Sequence, residues 1–389
     1  MLIERIQEKL LQANLDGWLF FDHHRRDPLA YRILSLPPSM EVTRRWYYFI
    51  PASGEPRKLV HSIESQSLDT VPGIKQSYSR WPDQQAKLQA LLAGAKRIAM
   101  QYSPDCAIPY VSMVDGGTLE LVRACRVDVV SSADLVQEFE ARWTQTQYES
   151  HIEAGRRVDQ VRSEAFDLVR QKLESGVAVT EYDVQQFILR RFDQLDLITN
   201  HGPIVGVNEN ASNPHYEPSR DRHSHVQRGD LVLIDLWAKL KQADAVYYDV
   251  TWTAFCGQPI PDKVLAVFEI VKDARRRACN FVIEQVQSGQ PLRGFEVDDA
   301  ARNHIEEQGF GEYFFHRTGH SIGTEVHGTG ANMDNFESHD DRRVIANTCF
   351  SVEPGIYLPE FGIRSEVNVY VGDGFAQVTG EQQDELVRI

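Results

Sequence analysis

His316-Arg-Thr-Gly-His320-Ser-Ile-Gly-Thr-Glu-Val-His327-Gly328 places three histidines within twelve residues, among glycines that let other groups approach the backbone closely. Two carboxylates follow, Glu353 and Glu366, each inside an apolar, strand-like segment. Imidazole beside carboxylates in this density is metal-site chemistry.

The same chemistry recurs upstream. Leu231-Val-Leu-Ile-Asp235-Leu-Trp237 sets an acid in an apolar run, where a charge is costly without a partner, and Asp249 follows in a second such run. Residues 231–255 and 348–371 read as antiparallel hairpins, each with two acids: Asp235 with Asp249, and Glu353 with Glu366. A long amphipathic helix over about 149–173, then a second helix capped by Thr180, precedes the first hairpin. The pattern returns with a long helix over about 262–286. Glu174-Ser-Gly and Tyr182-Asp183-Val184 reappear 113 positions later as Gln287-Ser-Gly and Phe295-Glu296-Val297. Two related halves of helix, helix and hairpin are expected, with four carboxylates converging between them and His320 completing the cluster. Like charges at such separations repel unless cations lie among them, and two divalent ions meet that need. Oxygen-rich ligation with one imidazole suits manganese, and cobalt or zinc would also bind.

The remaining sequence bounds the protein. With 389 residues, two domains are expected, an α/β domain over 1–140 and a catalytic domain over 141–389, with a polar connection over about 131–146. Strands are expected near 17–21, 46–50, 58–61, 97–101 and 127–130. Composition is that of a globular protein, with 42% hydrophobic and 25% charged residues. A formal charge of −15 argues against nucleic acid and anionic membranes as partners. Five scattered cysteines carry no paired spacing. The charged start Met1-Leu-Ile-Glu-Arg-Ile-Gln-Glu-Lys9 lacks a leader's apolar run, and a cytoplasmic location is expected. Asp22-His23-His24 reads as a polar strand end, and His201, His223, His225 and His339 as solvated loop residues.

Ile204-Val-Gly-Val-Asn208 through Pro214-His215, Val232-Leu-Ile-Asp235, Asp249-Val-Thr, His316 through Gly323, Val352-Glu353-Pro-Gly-Ile-Tyr357 and Gly362-Ile-Arg364-Ser-Glu366 resemble, in order, the motifs of the creatinase and methionine aminopeptidase superfamily. These are the pita-bread metallopeptidases of family M24, and the chain is most similar to the Xaa-Pro aminopeptidase (aminopeptidase P) and prolidase branch. The resemblance implies an α/β creatinase-like N-terminal domain followed by an α+β pita-bread domain with a pseudo-twofold internal repeat. It also implies a homodimer that cleaves peptides with proline at the second position. Asp235, Asp249, His320, Glu353 and Glu366 would hold two metal ions, with Glu353 also moving the proton of the attacking water. His215 and His327 would face substrate, while His316, Tyr357 and Arg364 would orient the ligands.

Three positions depart from the pattern. Asp235 and Asp249 lie fourteen apart, where eleven is common; direct pairing of the two would centre the turn on Gln242 and leave Asp244, a rival ligand, at its tip. Trp252 stands where arginine is usual, and Val367-Asn368 replaces an acid, changes expected to bear on metal affinity or subsite shape. A metal-free, creatinase-like hydrolase of a small guanidino compound and a non-catalytic pita-bread module are the alternatives. Relatives of both kinds lose ligands that this chain keeps.

Overall fold

Trp18 and Phe20 pack to one side of the first strand, and Leu19 and Phe21 to the other, so one short apolar run feeds two cores. The computed structural model describes residues 2–389 and contains two units, Met1–Glu140 and Ala141–Ile389. In the first unit the strands are β1 (Gly17–Asp22), β2 (Trp46–Pro51), β3 (Arg57–His61), β4 (Ile74–Tyr78), β5 (Arg97–Met100) and β6 (Asp128–Ser131). They form one mixed sheet in the order β4-β3-β2-β1-β5-β6. Helices α1 (Leu2–Gln12), α2 (Pro28–Ile33), α3 (Trp81–Leu91), α4 (Gly116–Arg123) and α5 (Ala133–Val136) accompany it.

Two expectations change here. Strand β4 has four exposed residues out of five and no apolar alternation, so its pattern was invisible. The stretch after Ser131 is not a plain polar connection, because α5 buries Ala133, Leu135 and Val136 in a core and a π-helical turn, Gln137–Ala141, follows. Asp22 is a buried structural acid: its carboxylate accepts from the N–H groups of Arg25, Arg26 and Asp27 and from the Tyr31 hydroxyl.

The second unit opens with α6 (Gln145–Glu174) and α7 (Glu181–Gln194), started by capping boxes at Thr144/Gln147 and Thr180/Asp183. Strands β7 (Leu197–Ile198), β8 (Ile204–Val207), β9 (Leu231–Leu240) and β10 (Tyr248–Phe255) come next. Helices α8 (Asp262–Ser288) and α9 (Gly294–Glu307) then precede β11 (Ser321–Ile322), β12 (Thr348–Val352), β13 (Gly355–Tyr357), β14 (Gly362–Arg364), β15 (Val367–Val371), β16 (Ala376–Thr379) and β17 (Val387–Arg388). Gly289 in the left-handed conformation ends α8. Helices α7 and α9 each have 14 residues, with Gly294 lying 113 positions after Glu181.

Strand parity positions the site. Val232, Ile234, Leu236, Val250 and Ala254 pack with α6 and α7, so Asp235, Trp237, Asp249 and Thr251 point the other way. Phe350, Val352, Val367, Val369 and Val371 pack in the core formed with α8 and α9, so Ser351 and Asn368 also point away from that core.

The register of the first hairpin differs from expectation. Asp235 pairs with Thr251, and Asp249 with Trp237, a shift of two positions that keeps both acids on one face. The cause lies in residues 245–247, which pack outside the ladder: Val246 and Tyr247 join a cluster with Trp143 and Ile322, and the Tyr247 N–H donates to the Gly323 carbonyl at 2.9 Å. Asp244 is exposed in the turn with φ of 58° and lies outside the cluster of Asp249, His320 and Glu366 found among the described residues.

Candidate metal centre

Glu353 directly follows β12, and Glu366 directly precedes β15, just past the last ladder pair Val352 and Val367. Both therefore sit at strand ends rather than inside strands. Glu366 reaches the first hairpin: its N–H donates to the Thr251 carbonyl at 3.1 Å, and Thr251 Oγ1 donates to its Oε2 at 2.7 Å. His320 enters just before β11, its N–H held by Ser351 Oγ at 3.0 Å, and that hydroxyl donates to Glu353 Oε1 at 3.1 Å. Asp249, His320 and Glu366 offer ligand atoms within 4.8 Å of one another.

The imidazole orientation is informative. His320 Nδ1 faces the Ser321 carbonyl at 3.2 Å, which only accepts, so Nδ1 carries the hydrogen. Nε2 then presents a lone pair to Asp249 Oδ2 at 3.6 Å and to Glu353 Oε1 at 3.5 Å. Burial, reinforced by His327 and Arg317, holds the imidazole pKa well below its ordinary value, which keeps the ring neutral. A lone pair aimed at carboxylates has no attraction for them without a cation between.

The acids carry the same signature. Asp235 Oδ1, Asp249 Oδ1 and Glu366 Oε1 are buried and accept no hydrogen bond. Burial pushes the Asp249 carboxyl well above the usual range, with Asp235 and Glu353 adding to it, and does the same to Glu366 with Asp249 and Glu353. Glu353 is pushed up to about 7, by burial against the opposing pull of Arg364. Oxygen atoms without donors, in a cluster that resists ionisation, fit divalent cations.

Arg364 ties the cluster to its supports. Its guanidinium donates to Asp235 Oδ2, to the Tyr357 hydroxyl at 3.0 Å and to Thr251 Oγ1 at 3.0 Å. Tyr357 in turn donates to His316 Nε2 at 2.7 Å, because His316 Nδ1 is committed to the Arg317 carbonyl at 2.7 Å. Burial and the nearby Arg364 lower the His316 pKa to about 3. His327 lies at the exposed rim with its ring 4.3 Å from that of His320, its pKa lowered to about 4 by the surrounding protein, Arg317 and His215. His215 is exposed in the loop after Asn213, whose side chain accepts its N–H at 3.1 Å, and its field reaches Asp235 and His327. The structure thus gathers Asp235, Asp249, His320, Glu353 and Glu366, backs them with Arg364, Tyr357 and His316, and leaves His215 and His327 at the rim.

Of the departures from the pattern, Trp252 faces away from this cluster: it lies on the α6 side of β10, with the Arg162 guanidinium 3.6 Å above its ring. Asn368, the other departure, touches the backbone of Asp249. Its amide accepts the Asp249 N–H at 3.2 Å and donates to the Asp249 carbonyl at 2.5 Å. The available signal was a polar residue in the apolar strand Val367-Asn-Val-Tyr-Val371, since buried amides take partners.

Residues 149–373 match the model of metallopeptidase family M24. The chain belongs to this family. This M24 chain is 32% identical over 228 residues to a Xaa-Pro dipeptidase of Lactobacillus delbrueckii subsp. lactis, covering 58% of the chain and 56% of the relative. It is 36% identical over 183 residues to a Xaa-Pro dipeptidase of Lactobacillus helveticus, covering 46% and 45%. The chain thus spans about half the length of the curated relatives it matches. Among solved structures, a dipeptidase from Mycobacterium ulcerans covers 100% of this chain and 97% of its own, with a TM-score of 0.69 and 24% identity. An X-prolyl aminopeptidase from Caenorhabditis elegans, described as cytosolic with a di-nuclear active site, covers 97% of this chain and 60% of its own, with a TM-score of 0.63 and 16% identity. These likenesses show a shared fold. No helix among the described residues is long and apolar enough to cross a membrane.

Proposed function

We propose that this M24 protein is a dinuclear-metal exopeptidase hydrolysing the bond between an N-terminal residue and a following proline. The observation that carries the metal chemistry is the set of buried carboxylate oxygens without donors, Asp235 Oδ1, Asp249 Oδ1 and Glu366 Oε1, in the cluster where a neutral His320 turns its lone pair to Asp249 Oδ2 and Glu353 Oε1. The proline preference is supported by the Xaa-Pro dipeptidases that the chain resembles. Manganese is the ion that fits four carboxylates and one imidazole best. A homodimer in the cytoplasm, with a creatinase-like first domain over 1–140 and a pseudo-twofold repeat within 141–389, completes the proposal on family resemblance.

In this reading Asp235, Asp249, His320, Glu353 and Glu366 hold the ions, and Arg364 fixes the Asp235 carboxylate from behind. When bound, such a pair of ions lowers the pKa of water and polarises the scissile carbonyl. Glu353, at the open end of the cluster, accepts the proton of the attacking water and returns it to the leaving nitrogen. His215 and His327 contact substrate, with His327 beside the scissile bond and His215 assisting proton movement.

Hydrolysis of Xaa-Pro and Xaa-Pro-Xaa peptides by the manganese-loaded protein, compared with Asp249→Ala, tests this. Manganese-dependent cleavage that is abolished by the substitution is expected. Undiminished turnover by Asp249→Ala would defeat the proposal. Relative rates on the two peptide lengths assign dipeptidase or aminopeptidase action.

A further inference from the structure

Trp237 is two positions beyond Asp235 on β9 and directly opposite Asp249 on β10, so its indole leaves the strand on the face that carries both acids. Directly opposed side chains start only about 4.5–5.5 Å apart at Cβ. The indole is partly buried between two apolar clusters, one containing Ile204 and the other Tyr247 and Val326. Its Nε1–H donates to Asn200 Oδ1 at 2.7 Å, which anchors the ring from the loop before β8. The next residue on that face, Lys239, donates to the Thr324 carbonyl at 2.5 Å, in the loop that leads to His327. The row Asp235, Trp237, Lys239 therefore runs from the candidate metal-binding acids to two side chains tethered across neighbouring loops.

An enzyme that removes one N-terminal residue needs a surface that stops the substrate there, because open space beyond the reacting amide would admit further residues. We infer that Trp237 is a specificity-determining residue: it walls the pocket for the side chain N-terminal to the scissile bond and restricts that side chain to small groups. The assignment rests on the exopeptidase reading above. An indole anchored through its N–H cannot swing aside as an aliphatic chain would, so bulk in the substrate meets a fixed surface. Differences of one or a few methylenes against such a wall change selectivity by roughly 10–200-fold.

The test uses manganese-loaded wild type, Trp237→Ala, Trp237→Phe, Asn200→Ala and, as a control on the opposite face of the same hairpin, Trp252→Phe. kcat and KM are measured for Gly-Pro, Ala-Pro, Leu-Pro and Phe-Pro, alongside metal content and thermal midpoint. Trp237→Ala is expected to raise the kcat/KM of Phe-Pro relative to Ala-Pro at least about tenfold, chiefly through KM, with metal content at the wild-type level. Trp237→Phe and Asn200→Ala shift the ratio in the same direction by less, and Trp252→Phe leaves it at the wild-type value. An unchanged ratio in metal-replete Trp237→Ala overturns the wall; if that variant fails to fold, an unchanged ratio in both Trp237→Phe and Asn200→Ala overturns it equally. The same ratios are read on the matching Xaa-Pro-Ala tripeptides; a wild type that cleaves neither series defeats the exopeptidase reading and the wall with it, whereas cleavage of either series with unchanged ratios defeats the wall alone.

Discussion

Asn368 holds Asp249 by its backbone: the amide side chain takes the Asp249 N–H at 3.2 Å and gives its own N–H to the Asp249 carbonyl at 2.5 Å, across 119 positions of sequence. The carboxamide substitutes for a strand partner and joins the second hairpin to the strand of the first that carries the candidate ligand Asp249. Gln383 makes the same reciprocal pair with Thr253, farther along β10 and away from any ligand. Asn368→Ala should therefore weaken manganese binding about 10–100-fold by titration calorimetry, the range for lost outer supports of a metal site. Gln383→Ala supplies the comparison, since it removes an equivalent clamp; equal effects of the two on metal affinity would show that Asn368 serves only the fold.

Asp249 itself offers a prediction opposite in sign for the two states of the site. Burial and the neighbouring Asp235 and Glu353 disfavour its charged form when no cation is present. Replacing it with the neutral, near-isosteric Asn relieves that repulsion, so metal-free Asp249→Asn should melt above metal-free wild type. Relief of about 1 kcal/mol corresponds to roughly 2–4 °C in a unit the size of residues 141–389. Adding manganese should raise the wild-type midpoint, because an ion that binds only the native state stabilises it, and should leave the variant unmoved. Calorimetric scans with and without the ion read both effects.

Arg364 is nearly inaccessible and serves Asp235, Tyr357 and Thr251 at once. Removing one partner of a buried ion pair leaves the other uncompensated, at about 3–5 kcal/mol. Arg364→Gln should lower the unfolding free energy of the metal-free protein by that amount in urea titration. A loss below about 1 kcal/mol would mean that the guanidinium is dispensable to the metal-free site.

His151 is fully buried between the Tyr247 carbonyl and the Thr379 hydroxyl, each 2.7 Å from a ring nitrogen. Burial lowers its pKa to about 4. Because the folded value lies below the unfolded one of about 6.5, the unfolded chain binds the proton first as pH falls. Its contribution is fully present above pH 6.5 and is lost between pH 6.5 and 4, to a total of about 3 kcal/mol. His151→Gln, which cannot titrate, should show a shallower fall in stability over that interval than wild type. Parallel pH profiles for the two would contradict the assignment.

Residue type carried most of the legible information. Asp235 declared itself as an acid in an apolar run, and the capping pattern at Thr180 located α7 to the residue. What stayed hidden depended on contacts between distant segments. The hairpin register followed from Val246 and Tyr247 being drawn into another cluster, which no local spacing encodes. The face of Trp252, by contrast, was legible, since three positions along one strand from Asp249 set it opposite in either register, whereas β4 lacked an inward face to give it a pattern. Asn368 was visible only as a misplaced polar residue, since its partner lies on the other hairpin.

Strand β10 also borders β17, where Ala254 pairs with Val387 and Phe255 with Arg388. During synthesis, the first hairpin therefore leaves the ribosome well before the strand that covers its edge and before His320, Glu353 and Glu366 exist. A nascent chain at that stage offers only Asp235 and Asp249, too few donors to retain an ion against water. The candidate site is therefore complete only when residues 320–366 have joined the first hairpin, so metal binding would report the assembly of the two hairpins and not the folding of the first alone.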